Sequence, residues 1–246
     1  MPGHCFFTPF HKTDQKVTLD DQDEFQHLSK VLRLKEGAPI ELINGEGYLA
    51  RGVVQELKKS SAVIVLHEVS FISRISGVRI TLACAIPKKA KFETIIEKCT
   101  ELGVDRIVPL ITERTEFVLD GEKADKKGER FGRVAMNAAK QCKRLWFPEI
   151  SAPTLFAQAL KGLSVGGAGL FIPWLEGERI SLGQALAQKA QAKDLVFFIG
   201  PEGDFTADEI QLAREAGAVP VSLGENVLKV DTAAMAVVAF ARMNAR

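Results

Sequence analysis

Residues Phe197 to Ile210 read FFIGPEGDFTADEI. An apolar run stops at a proline and two glycines, and a helix opens directly after them. Thr206 and Glu209 have the T-x-x-E spacing of a capping box, in which hydroxyl and carboxylate each take one of the helix's unpaired amides. The turn between strand and helix is rich in residues that expose backbone. Glycine removes the side chain and proline fixes the bend, so a ligand can approach the main chain.

Working outward, the same rhythm recurs. VRITLACAI (78–86), RIVPLI (106–111), GLFIPWL (169–175), DLVFFIG (194–200) and AVPVSLG (218–224) read as strands. They are mostly separated by helical stretches. In KFETIIEKCTELG, Phe92, Ile95, Ile96, Cys99 and Leu102 share one face, and Gly103 marks the stop. A second helix is expected from about Lys127 to Leu145. Alternating strands and helices predict an α/β domain with a parallel sheet covered on both faces.

The N-terminal region differs. PIELI, YLARGVVQEL and AVIVLHEV are separated by the turns NGEG and KKSS, which predicts a small antiparallel sheet. Before it, DEFQHLSKVLRLKEG places Phe25, Leu28, Val31 and Leu32 at helical spacing. The expected domains are 1–72 and 73–246.

The net charge is +1, so bulk charge indicates no polyanionic partner. Up to Ser76 there are 9 basic and 10 acidic side chains. No run approaches the ~18 apolar residues of a membrane span, and the N-terminus has no secretory pattern. The four cysteines form no C-x-x-C pair, and the histidines, all before residue 70, share no ligand spacing with them. Reduced thiols, no metal, no membrane and a cytoplasmic location are the expectations.

Ligands of open parallel sheets bind beyond the carboxyl ends of strands. Three loops qualify: PWLEGE (173–178), GPEGD (200–204) and LGENVLKVD (223–231). SVGGAG (164–169) precedes its strand, so it lacks the geometry of a dinucleotide fingerprint. Neither a P-loop nor a G-x-S-x-G elbow is present.

The segments KxxELGVxxIxP (Lys98 to Pro109), FIGPEGDF and LGxxxLxxDTAAM (Leu223 to Met235), with HLSKVLRLKEG near the start, resemble the RsmE-type methyltransferases of the SPOUT superfamily. These methylate uridine N3 in 16S rRNA. The resemblance implies a small PUA-like β-barrel followed by a trefoil-knotted α/β domain, S-adenosylmethionine as methyl donor, a homodimer, and 16S rRNA or the assembled small subunit as partner. Backbone of Ile199, Gly200, Pro201, Glu202 and Gly203, and of Leu223, Gly224, Asn226, Val227 and Leu228, would then hold the adenine, with Trp174 and Leu175 as apolar wall. The sequence departs from the family at Asn226 and Lys229, where arginines are usual, at Asp231, usually glutamate, and at Asp204 in the commoner PEGG.

Between Lys126 and Arg144 there are seven basic residues and one acid. Arg133, Asn137, Lys140 and Arg144 are expected on one helix face, opposite Phe131, Val134, Ala138, Cys142 and Leu145. A stripe of one sign suits phosphate binding. AKQCKR resembles the family's signature near the substrate, which adds Gln141 and Arg144, and PKKAK adds Lys88. Lys229, Arg144 and Arg114 are candidate cations for a uridine anion, and Asp231 is a candidate base or a helix cap. Two rival readings are a SPOUT ribose 2′-O-methyltransferase, whose asparagine–serine pair is missing from SLGENVLKV, and a non-enzymatic RNA-binding assembly protein.

Overall fold

A computed structural model describes residues 4–74, 77–87, 92–116 and 121–244, the side chains of 121–125 excepted. The chain forms two compact units. The first is Met1–Ile75 with Ala139–Phe147; the second is Ser76–Ala138 with Pro148–Arg246.

In the first unit, β1 (His4–Phe7), β2 (Lys16–Leu19), β3 (Pro39–Ile43), β4 (Tyr48–Leu57) and β5 (Ala62–Phe71) form one sheet in the order β1-β3-β4-β5-β2. The expected antiparallel meander is β3-β4-β5; β1 joins it in parallel beside β3. Register shifts at Arg51/Gly52 and Val54/Glu56 mark irregularities of the bulge type, which curl a sheet. Phe6, Leu19, Leu28, Leu42 and Ile64 fill its core.

Helix α1 (Gln22–Gln26) is capped by Asp21, whose carboxylate accepts from the amides of Asp23 and Glu24. The expected helix does not simply continue. Residues His27–Val31 form a π-helical turn, which is wider than 3.6 residues. This shifts the angular register: Leu28 is fully buried, whereas Val31 is 68% exposed.

The returning segment 139–147 was not separable from the second domain by sequence pattern. Lys140 pairs with Glu24, a carboxylate that is only 4% exposed. Trp146 donates from Nε1 to the Ile72 carbonyl at 2.9 Å and meets Phe71 edge-on. Phe147 lies against Phe7, and its amide bonds to Gly45.

The second unit runs β6 (Arg79–Ala85), α2 (Phe92–Glu101), β7 (Arg106–Ile111), α3 (Gly121–Gln141, whose last residues belong to the first unit), β8 (Glu149–Ile150), β9 (Thr154–Leu155), α4 (Phe156–Leu163), β10 (Gly169–Pro173), β11 (Ile180–Ser181), α5 (Leu182–Gln188), β12 (Asp194–Ile199), α6 (Ala207–Glu215), β13 (Val219–Ser222) and α7 (Val230–Asn244). Its sheet is parallel, in the order β11-β13-β10-β12-β6-β7-β8, with β9 also beside β7. β12 shows why it is buried on both sides. Leu195, Phe197 and Ile199 face one core with Ile95 and Val237, while Val196 and Phe198 face another with Phe156 and Ile210.

Helix ends follow from local chemistry. After α2 the amide of Val104 bonds to the Cys99 carbonyl and that of Gly103 to Thr100, with Gly103 at φ 95°. This is a Schellman motif. The amides of Gly217 and Ala218 close α6 in the same way. α3 also ends so, with Lys143 at φ 55° in the glycine position and the Arg144 amide on Ala139. The expected helix to Leu145 therefore stops at Gln141. Among the described residues no helix is long and apolar enough to cross a membrane.

Candidate active site

Strands β13, β10 and β12 are neighbours and parallel, so their carboxyl ends open on the same side. The three loops singled out by sequence leave from those ends. They enclose a cleft of about 750 Å³, lined from Pro173 to Leu175, Ile199 to Glu202 and Val221 to Asp231. That volume suits a small molecule or cofactor.

Each loop has its own support. The amide of Trp174 bonds to the Val221 carbonyl at 3.2 Å, tying the first loop to β13. Arg179 donates to the Leu175 carbonyl, and Arg214 to that of Glu178 at 3.2 Å. In the second loop Pro201 is buried and its carbonyl accepts from the Asp204 amide. The capping box is present: the Glu209 amide donates to Thr206 Oγ1 and the Thr206 amide to Glu209 Oε2. In the third loop Ser222 Oγ takes the Gly224 amide and donates to the Gly224 carbonyl.

Trp174, Leu175, Ile199, Gly200, Pro201, Glu202, Leu223, Gly224, Asn226, Val227 and Leu228 all line the cleft, as do Lys229 and Asp231. Leu175 and Val227 are 50% and 74% exposed, which leaves apolar surface on two sides of the opening. Asp204 and Glu225, which belong to the loops singled out by sequence, also line it, as do Arg179 and Ser222, which escaped the sequence reading. Arg179 follows directly on PWLEGE, but nothing in its spacing marks it.

Of the two loop glycines, Gly200 lines the cleft and Gly203 is not among its lining residues. A Cβ on Gly200 would lie 3.1 Å from the Phe205 ring and 3.3 Å from Asp204 Oδ1. One on Gly203 would lie 3.3 Å from Cδ of Arg114. Of these neighbours Asp204 lines the cleft, whereas Phe205 and Arg114 do not. Arg114, a candidate catalytic cation, braces the loop by donating to the Gly203 carbonyl.

Asp231 stands inside the first turn of α7, not at its cap. Its Oδ1 accepts from the Thr232 amide at 2.9 Å. Beneath the cleft, burial pushes the Cys84 thiol well above its ordinary pKa, and the charges of Cys99, Asp231 and Glu202 push the same way.

The basic stripe is broken up. Arg133 and Asn137 are exposed on α3. Arg130 pairs with Glu93, and Lys140 is held by Glu24. Gln141, exposed, ends the helix, and Arg144 lies beyond it in the returning segment of the first unit. Arg144 is therefore not part of a continuous helical face. Lys88 lies outside the described residues.

A parallel sheet with a loop-built cleft at its carboxyl edge, in a chain that also carries a curled N-terminal sheet, is the architecture that the resemblance to SPOUT-class RNA methyltransferases implies, and comparison with known proteins bears the class out. An RNA methyltransferase domain model matches residues 74–242 and an RNA methyltransferase PUA domain model matches 19–66. The chain is 35% identical to ribosomal RNA small subunit methyltransferase E of Synechocystis sp., over 90% of this chain and 71% of that protein. Identity to the Mycobacterium bovis protein of the same name is 34%, over 89% and 83%. The crystal structure of the Neisseria gonorrhoeae enzyme of that name, bound to S-adenosyl methionine, superposes with a TM-score of 0.86 at 27% identity, covering 98% of this chain and 97% of that one. The chain belongs to the ribosomal RNA small subunit methyltransferase E family.

Proposed function

We propose that the protein uses S-adenosylmethionine to methylate N3 of a uridine in 16S rRNA. The observation that carries this reading is the cleft at the carboxyl ends of β13, β10 and β12. Its residues fit the cofactor. Main chain of the second and third loops offers hydrogen bonds without charge, and Leu175, Ile199, Leu223, Val227 and Leu228 offer an apolar slot for adenine. Glu202 and Glu225 supply acidic groups for its cationic portions. When bound, S-adenosylmethionine supplies an activated methyl group.

The protein's own task is then to position the base and stabilise its anion. The N3 proton is that of a weakly acidic imide. Lys229, exposed at the cleft, favours its loss by charge. Asp231 is the acceptor in this scheme: the Thr232 amide orients its carboxylate through Oδ1, leaving Oδ2 for the proton. N3 lies on the pairing edge, so the target must be unpaired or extruded. Arg133, exposed on α3, is the phosphate contact this reading retains, and Arg133→Gln should flatten the salt dependence of RNA binding by about 0.7 of a log unit per log unit.

The working form is a cytoplasmic homodimer with the knotted topology of its class. Phe240 and Met243 are 40% and 81% exposed on α7, an apolar face that a second copy would cover. Sedimentation at micromolar concentration should give twice the 26.9 kDa chain mass; a single-chain particle would contradict the dimer. Calorimetric titration with S-adenosylmethionine tests the cleft. Saturable one-to-one binding per chain, lost on Leu228→Arg in a folded variant, is expected, and absence of binding to the wild type would overturn the reading.

A further inference from the structure

Three described non-glycine residues have positive φ: Arg33, Lys143 and Asp204. Lys143 closes a helix, and Arg33 follows the π-helical turn. Asp204, at φ 60°, closes no helix; it lies in the connection from β12 to α6, in a backbone region that favours glycine. Such a conformation persists only where the surroundings hold it.

Its carboxylate is what the surroundings hold. Oδ1 accepts from the Phe205 amide at 2.8 Å, and Oδ2 accepts from the Leu175 amide at 3.1 Å. The second bond crosses from the β12 loop to the β10 loop, two walls of the same cleft. Leu175 is fixed at both backbone ends, through Asp204 at its amide and Arg179 at its carbonyl. Its half-exposed side chain forms part of the apolar lining.

We propose that Asp204 is a positioning residue for the methyl donor: its carboxylate clamps the loop after β10 to the loop after β12 and thereby sets the cleft in its binding shape. In this left-handed backbone the carboxylate reaches both amides. Both carboxylate oxygens of Asp204 are engaged by the Leu175 and Phe205 amides, so its proposed role is to hold the loops and not to bind the ligand with its charge. The inference rests on the cleft being the cofactor site.

Two variants separate clamp from strain. Asp204→Gly removes the carboxylate and relieves the backbone, whereas Asp204→Ala removes the carboxylate and leaves the strain. Melting temperature should fall in both variants, and less in the glycine variant than in the alanine variant because the backbone strain is relieved. Affinity for S-adenosylhomocysteine by calorimetry should fall about tenfold in both, as expected for loss of one hydrogen bond to a charged acceptor. Amide exchange at Leu175, measured without ligand, should accelerate in both by at least the same factor. Wild-type affinity in the glycine variant, an affinity loss that follows stability across the two, or unchanged Leu175 exchange would each overturn the clamp. Failure of the wild-type protein to bind would instead overturn the assignment of the cleft, and the exchange measurement would still decide whether Asp204 holds the loop.

Discussion

The pair formed by Lys140 and Glu24 gives a quantitative test of how the first unit is held. Glu24 is 4% exposed; its Oε2 accepts from the Phe7 amide at 3.1 Å and its Oε1 meets the Lys140 ammonium. Lys140→Met would leave a carboxylate buried with one amide donor. Breaking a buried pair from one side costs about 3–5 kcal/mol. The lysine side chain keeps 20% of its exposure, so water relieves part of this, and about 2–3 kcal/mol is expected. Urea unfolding followed by fluorescence of Trp146, in a Trp174→Phe background, reports on this unit because Trp146 lies in the returning segment beside Phe71. Combining Lys140→Met with Glu24→Gln removes both charges and should recover more than half of the loss. A single variant within about 0.5 kcal/mol of wild type, or a double variant whose costs simply add, would refute the argument. If Lys140→Met instead weakened RNA binding alone, the lysine would belong to the RNA surface that the sequence assigned to it.

Further consequences follow from the second unit. Gly200→Val should fold with a loss of about 1–3 kcal/mol from overpacking against Phe205, and calorimetry should show its cofactor binding lost because the loop must move. Arg242 bonds to the Val78 and Gly103 carbonyls and to the buried Asp105 carboxylate, anchoring α7. Arg242→Met should cost about 2–4 kcal/mol in chemical denaturation. Burial raises the Cys5 thiol to about 11, with Glu41 and Glu24 adding to it, and burial raises Cys99 to about 12. These groups bind protons more tightly folded than unfolded, so their contribution is complete below the unfolded pKa near 9 and is lost as pH rises towards 11–12. The urea midpoint should fall above about pH 9, and a thiol reagent at neutral pH should label exposed Cys142 before Cys84 or Cys99.

The second unit was legible because its signals are local and strong. Five apolar runs became strands, Gly103 closed a helix, and Thr206 with Glu209 formed the capping box. The ends of adjacent strands then brought the three loops together, so most of the cleft was readable. What escaped depends on long-range contacts or on a residue outside its usual role. Strands β1 and β2 are four residues each, too short for a periodic signal. Lys143 ends α3 where a glycine would have announced the stop, and Arg144 thereby leaves the helix face. The π-helical turn moved Val31 outward. The return of 139–147 to the first unit rests on Glu24, Phe7 and Gly45, all more than ninety positions away. A Cβ on Gly200 or Gly203 would press on Phe205 or on Arg114, contacts across the fold that the loop sequence alone does not announce.

The central claim is methyl transfer from S-adenosylmethionine to uridine N3 of 16S rRNA. The most direct measurement incubates purified protein with unmethylated 16S rRNA, both free and in assembled small subunits, and isotopically labelled S-adenosylmethionine. The RNA is then digested to nucleosides for mass spectrometry. Label should appear in 3-methyluridine, at a single site, and should vanish with Asp231→Asn in a variant that still binds the cofactor. Label in a ribose 2′-O-methyl nucleoside, or cofactor binding with no transfer to either RNA form, would contradict the account.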